Sequence, residues 1–271
     1  EPDLSVCGPL ARSAKDLEIA LDIMAGPIER EARGWQLNLP ESRKSSLKDF
    51  KVAIWSNDEL APVSKEIEKK CEEVGANLTS AGVNVSYTAK PGHDFLKAEI
   101  NYQLLLQSVM QSGMSEEEYK KIEEIASTIE PNDLSVDALL ARGTVLSHRN
   151  WIRQNYAREQ TKISWGNFFN EWDILVCPQL ATTAIEHDHR KFSERSIMVD
   201  NQEQRYFQQI FWPGLAVNAH LPSTVFPTGL ARDGMPVGLQ AIGGAYEDKT
   251  TIKFAELYEE EFKAFVIPNL D

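Results

Sequence analysis

The spacing of apolar positions changes character along the chain, and each change marks an element. Leu17, Ala20, Leu21 and Met24 recur at helical spacing and predict a helix. Ser13 with Asp16 three residues on supplies a hydroxyl cap and a first-turn acid, and Gly26-Pro27 ends the helix. The polar stretch from Glu29 to Lys48 predicts a surface excursion. Lys51-Val52-Ala53-Ile54-Trp55 is a short apolar, β-rich run and predicts a buried strand. Ser64 caps a second helix, with Ile67, Cys71, Val74 and Leu78 in register. Val83, Val85 and Tyr87 then alternate onto one face of a strand. Strand, helix and strand in that order imply a parallel pair with a crossover helix.

From about Asp94 to Asn170 the spacing is mostly helical, divided at Pro131 and Asn132. Ser147 is placed to cap the last long helix there, with Ile152, Tyr156 and Ile163 sharing a face. Asp173-Ile174-Leu175-Val176-Cys177-Pro178 predicts a third buried strand ended by proline. Thr182 to Ser196 is polar and predicts a loop. A helix is expected from about Gln202, carrying Tyr206, Phe207, Ile210 and Phe211, with Pro213-Gly214 interrupting it. Ser223 to Pro227 and Val237 to Ile242 predict two strands joined by the turn signal Arg232-Asp233-Gly234. Asp248 caps a final amphipathic helix. The expected fold is α/β: a mixed sheet, mostly parallel at its core, flanked by helices on both faces. It forms a single region over residues 1–271 with a helical subregion over about 94–170.

Composition narrows the function classes. The chain has 271 residues, 42% hydrophobic and 25% charged, long enough for a sizeable core. A formal net charge of -13 repels phosphate backbones, so nucleic acid and anionic membranes are poor partners. Glu116-Glu117-Glu118 and Glu259-Glu260-Glu261 read as solvated helix faces. Cys7, Cys71 and Cys177 are odd in number and widely spaced. They read as buried free thiols in a reducing, cytoplasmic compartment rather than as disulfides or zinc ligands. No stretch has the length and apolarity of a membrane span, and no signal peptide is recognisable.

Three segments carry a resemblance. They are Gly8-Pro9-Leu10-Ala11-Arg12-Ser13-Ala14-Lys15-Asp16-Leu17, then Asp173 to Pro178, then a series from Phe211-Trp212-Pro213-Gly214 onward. That series includes Leu221-Pro222-Ser223-Thr224, Asp233-Gly234-Met235-Pro236-Val237-Gly238-Leu239-Gln240 and Asp248-Lys249-Thr250-Thr251. In order and spacing they resemble the C-terminal half of an amidase-signature hydrolase. The resemblance implies hydrolysis of carbon–nitrogen amide bonds by a Ser–cis-Ser–Lys triad. There a buried lysine acts as base, a second serine relays the proton, and glycine-rich backbone binds the oxyanion.

The glycine- and serine-rich segment of that triad is expected ahead of Gly8, where Glu1 to Cys7 stand, and no matching run occurs elsewhere. Lys44-Ser45-Ser46 has the residue types but no flanking glycines, and reads as a loop before the first strand. Gly243-Gly244 is followed by Ala245. No catalytic residue is therefore assigned, and the chain alone is expected to be inactive. No cofactor is implied.

Other candidates are weaker. His187-Asp188-His189 has two possible metal ligands but no third at motif spacing, and reads as a polar loop. Cys177, at a strand end, reads as a packed thiol rather than a nucleophile. His148 reads as a helix-surface group. The aromatic stripe Tyr206, Phe207, Phe211 and Trp212 reads either as core or as a channel wall. The resemblance places this helix beside the acyl-binding channel. Phe211 and Trp212 are therefore candidate substrate-pocket residues, with Ser223 and Thr224 in the following turn, facing a small-molecule amide with an apolar or aromatic acyl part. A non-catalytic subunit or a small-molecule binding module remains the alternative. An uncovered edge or face is expected to drive homodimerisation or association.

Overall fold

The computed structural model describes residues 3–191 and 194–267. They divide into two compact units.

One unit is helical and centres on Pro91–Trp165. It contains α3 (Phe95–Met110), α4 (Glu116–Thr128), α5 (Val136–Thr144) and most of α6 (His148–Phe169). Each helix starts at a side chain that accepts an otherwise orphaned amide: Asp94 from Lys97, Ser115 from Glu118, Ser135 from Ala138 and Ser147 from Asn150, at 3.1–3.3 Å. α3 and α5 approach closely at Gly143. A Cβ there would lie 2.6 Å from Gln107 Cβ and 3.0 Å from the Leu104 carbonyl oxygen.

The buried face of α6 differs from the expected one. Tyr156 and Ile163 are more than half exposed, whereas Arg158, Thr161, Trp165 and Phe168 are buried. The helix turns a polar residue inward because Arg158 has partners there: Asp3 at 2.5 Å and Asn155 at 2.5 Å. Apolar spacing could not reveal that pairing.

The other unit is α/β. Its sheet has the order β2-β1-β3-β7-β6, with β1 (Lys51–Ile54), β2 (Asn84–Ser86), β3 (Ile174–Pro178), β6 (Ser223–Leu230) and β7 (Pro236–Ile242). β1 pairs in parallel with β2 and β3, and β7 pairs antiparallel with β3 and β6. The crossover from β1 to β2 is α2 (Lys65–Ser80), capped by Ser64 and burying Ile67, Cys71, Val74 and Leu78 as its spacing predicts. β3 is buried throughout, as a strand covered on both sides must be.

Alternation along β6 and β7 assigns the layers. Thr224 and Phe226 face α8 (Asp248–Phe262), where Thr224 meets Thr251 and Phe226 stacks edge-on with Phe254 and Tyr258. Gln240 follows Leu239, the partner of Phe226, and therefore faces the opposite side. There it bonds the Trp212 carbonyl of α7 (Phe211–Ala219). Helices thus flank a mixed sheet on both faces. α1 (Ala14–Met24) packs on α8, with Ser13 capping it as expected.

Four local expectations are corrected. Gln202–Arg205 is not helical but is strand β5, paired antiparallel with β4 (Ser196–Val199) across a turn in which Asp200 has φ +52°. Tyr206–Ile210 is a 3₁₀ turn, and α7 begins at Phe211 and runs through Pro213-Gly214 without a break. Pro213 sits in the first turn, where a missing N–H costs nothing. Asp248 is the first residue of α8 rather than its cap, which is Glu247. Cys7 is exposed, not buried, while Cys71 and Cys177 are buried free thiols. The polar stretch after Thr182 carries no α-helix or strand before Ser196 among the described residues, only a 3₁₀ turn at Glu194, whose amide bonds the Lys191 carbonyl at 2.9 Å, and residues 192 and 193 lie outside them.

Candidate functional site

The predicted site residues converge on one end of β6 and β7 but not on one face. Phe211 and Trp212 are 2% and 0% exposed. Their rings pack edge-on at 5.2 Å, and Trp55, at the end of β1, joins them at 6.1 and 5.4 Å. Trp212 donates Nε1 to the Ala61 carbonyl at 3.1 Å, and Trp55 donates Nε1 to Asn57 at 2.9 Å. Both indoles are therefore satisfied as well as buried, which fixes their orientation. The Lys90 ammonium lies 4.1 Å from the Trp55 ring and 3.5 Å from Asp58.

Ser223 is exposed at the start of β6 and donates Oγ to Gln240 Oε1 at 2.9 Å. Thr224 points the other way and shares a buried hydroxyl–hydroxyl bond of 2.8 Å with Thr251. Gln240 is the hub that sequence reading missed. It is 1% exposed, accepts from Ser223, and donates Nε2 to the Pro178 and Trp212 carbonyls at 2.9 and 2.8 Å. One amide thus ties β3, β6 and α7 together. The signal was present, since a lone polar residue inside an apolar strand must find partners.

None of these hydroxyls is an activated nucleophile. Ser223 is bonded to an amide oxygen, which is no base, and Thr224 to another hydroxyl. Lys44-Ser45-Ser46 does structural work. Ser45 and Ser46 both donate to Asp49, at 3.4 and 2.8 Å, and Lys44 pairs with Asp173 at 2.9 Å. The recess beside it, lined by Arg43, Lys44, Trp172, Asp173 and Glu247, encloses about 30 Å³, room for little more than a water.

The remaining candidates resolve similarly. Asp188 forms a two-pronged bond with Arg190, which holds its carboxyl down to about 2, and the His187 and His189 rings stand 6.2 Å apart. Among the described residues no cluster of His, Cys, Asp and Glu has the arrangement of a metal site. Burial pushes the Cys177 thiol well up, so it is no ready thiolate. His148 lies exposed at the start of α6.

In the helical unit, His93 Nδ1 lies 3.1 Å from Ser164 Oγ, and burial lowers the histidine pKa, favouring the neutral base. Geometrically this is a hydroxyl beside a base. Ser164 nevertheless sits inside α6, where backbone amides are committed to helical bonds and none is left for an oxyanion. Sequence offered no signal for the pair, whose members are 71 positions apart.

Comparison with known proteins places the chain in a family. The chain is 23% identical over 268 residues to an indoleacetamide hydrolase of Bradyrhizobium japonicum, covering 95% of this chain and 52% of that protein. It is 23% identical to a glutamyl-tRNA(Gln) amidotransferase polypeptide of Clostridium botulinum (strain Okra / Type B1), covering 95% and 55%. A bacterial aryl acylamidase of the amidase-signature family superposes with a TM-score of 0.67 at 16% identity, covering 94% of this chain and 52% of that one. The chain therefore spans about half the length of the relatives it matches. Residues 1–252 match the family model described as Amidase, and on that match the chain belongs to the amidase family.

Proposed function

We propose that this chain forms the sheet core and a substrate-pocket wall of an enzyme that hydrolyses carbon–nitrogen amide bonds. The observation that carries the reading is the family match over residues 1–252. The local geometry is in keeping with the part proposed for the chain in that reaction. Ser223 presents its hydroxyl at the surface, held by Gln240, and Phe211 and Trp212 form a rigid apolar backing behind it. Thr224 positions the strand from the other face through Thr251. Phe211 and Trp212 are themselves buried, so the preference for an amide whose acyl part is apolar or aromatic is proposed from the family resemblance rather than from an exposed aromatic surface. The indoleacetamide hydrolase and aryl acylamidase among the similar proteins are in keeping with that preference. The nucleophile, base and oxyanion donors belong to the rest of the family domain, so the 271-residue chain by itself is inactive.

The test is a chimera in which this chain replaces the matched 268 residues of the Bradyrhizobium japonicum relative. Hydrolysis of indoleacetamide by the folded chimera, with a Ser223→Ala variant raising KM more than it lowers kcat, supports the reading. A folded chimera that hydrolyses neither indoleacetamide nor simple aryl amides overturns it.

A further inference from the structure

The aromatic residues proposed for the pocket wall are covered, and part of their cover is itself tied down. Three successive carbonyls of the loop before α2, those of Leu60, Ala61 and Pro62, accept side-chain donors from one stretch of chain. Gln208 donates Nε2 to Leu60 at 3.0 Å, Trp212 donates Nε1 to Ala61 at 3.1 Å, and Gln204 donates Nε2 to Pro62 at 3.1 Å. A fourth tie follows at Lys65, whose amide donates to the Asp200 carboxylate at 3.2 and 3.4 Å. The loop is thus bonded both to the Trp212 indole and to the β4–β5 hairpin.

The two anchors differ in strength. Trp212 belongs to α7, and its carbonyl accepts from Gln240 in the core sheet. β4 and β5 instead pair only with each other, in a two-stranded sheet separate from the five-stranded one. Such a ribbon is marginal on its own. Ile197 and Val199 are buried, but β5 buries no residue and Met198 is 56% exposed. The tip is strained as well as exposed, because Asp200 takes φ +52° without being glycine. Its carboxylate offsets that strain by capping the first turn of α2, where a negative charge meets the positive end of the helix dipole. Segments with few buried apolar contacts and exposed backbone are the ones that open locally.

We propose that the β4–β5 hairpin is a hinged flap, latched by Asp200 on α2, whose release frees the Leu60–Pro62 loop and opens a path to the Trp212 indole. The inference deepens the functional reading above and rests on it. With the latch closed, Phe211 and Trp212 are buried and no acyl group reaches them. When the hairpin lifts, the bonds from Gln204 to Pro62 and from Lys65 to Asp200 break together, since both belong to the hairpin. Gln208 lies in the 3₁₀ turn beyond it and keeps hold of Leu60, so the loop swings about that residue. Substrate access to the wall is then set by a single carboxylate far from it in sequence.

Hydrogen–deuterium exchange with mass spectrometry reads the opening in the 271-residue chain and needs no turnover. The amides of residues 63–65 and 196–205 should exchange roughly 100-fold faster than those of β3 and β7, which open only with the whole unit. Asp200→Gly relieves the strain but removes the carboxylate, and should speed the first group about fivefold further while leaving β3 and β7 unchanged. Asp200→Asn keeps an acceptor at a tolerated φ and should change the rate by about twofold or less. Asp200→Gly should also raise acrylamide quenching of tryptophan emission, and adding Trp212→Phe should remove that rise. The proposal is overturned if the hairpin exchanges only as fast as β3 and β7, or if Asp200→Gly leaves its rate unchanged. It is overturned equally if the hairpin opens with no added quenching from Trp212. A flap that opens as expected, in a chain whose folded chimera hydrolyses nothing, contradicts the functional reading and leaves the latch itself standing.

Discussion

Replacing Gln240 with methionine removes the polar hub of the sheet while preserving its bulk. The wild-type side chain makes three hydrogen bonds, from Ser223 Oγ and to the carbonyls of Pro178 and Trp212, at 2.8–2.9 Å. At about 1 kcal/mol net for each bond, the loss is about 3 kcal/mol. Ser223 is exposed and can bond water instead, which lowers the figure. The two carbonyls are buried and cannot, which raises it by up to about 2 kcal/mol. The expected cost is therefore about 3–5 kcal/mol, or a fall in Tm of about 6–20 °C for a chain of this size. Thermal and urea unfolding followed by tryptophan fluorescence suits the measurement, because Trp212 lies directly at the altered contact. A loss below about 1 kcal/mol would refute the reasoning, since it would mean that the carbonyls find water or that the amide ties nothing together.

Further perturbations test other parts of the fold. Phe226→Ala, at a residue 1% exposed between Phe254 and Tyr258, should cost about 3–5 kcal/mol in urea unfolding. Gly143→Ala places a methyl against Gln107 and the Leu104 carbonyl and should cost about 1–3 kcal/mol by the same measurement. In the native state an aromatic disulfide reagent should titrate Cys7 quickly and Cys71 and Cys177 only on unfolding, because burial encloses both and raises their thiol pKa values. The pH dependence has a defined sign. Burial lowers the folded-state pKa of His93, so the unfolded chain binds its proton first on acidification. Its contribution to stability is complete above about pH 6.5 and declines as pH falls toward the folded-state value. Asp94 opposes the shift, and the partly buried Glu99, whose pKa is raised by desolvation, acts in the other direction. The measurement is accordingly a difference: His93→Gln should flatten the fall in urea midpoint between pH 7 and 5.5 relative to wild type.

How much of this was legible depended on whether a residue's role was local. α2 and β1 were readable because Ser64, Ile67, Cys71, Val74 and Leu78 bury one stripe and Val52 to Trp55 bury everything. The β6–β7 hairpin was readable from Arg232-Asp233-Gly234, since Gly234 takes φ +84°. β5 was not, because Gln202–Arg205 is polar on both faces and gains its strand geometry from pairing with β4. The inward face of α6 was hidden for a related reason: Arg158 is buried by virtue of Asp3, 155 positions away. At the site, the aromatic stripe was visible in sequence. The division of Ser223 and Thr224 between opposite faces, and their separate partners Gln240 and Thr251, required the sheet register.

On the proposed reading, these residues build an amidase scaffold and leave the nucleophile to the rest of the domain. The sharpest check is intact-mass analysis of the 271-residue chain after exposure to a fluorophosphonate, which modifies activated serines. The expected result is an unchanged mass, with Ser45, Ser46, Ser164 and Ser223 all unreactive. A stoichiometric adduct on any serine would place a working nucleophile within this chain and contradict the claim.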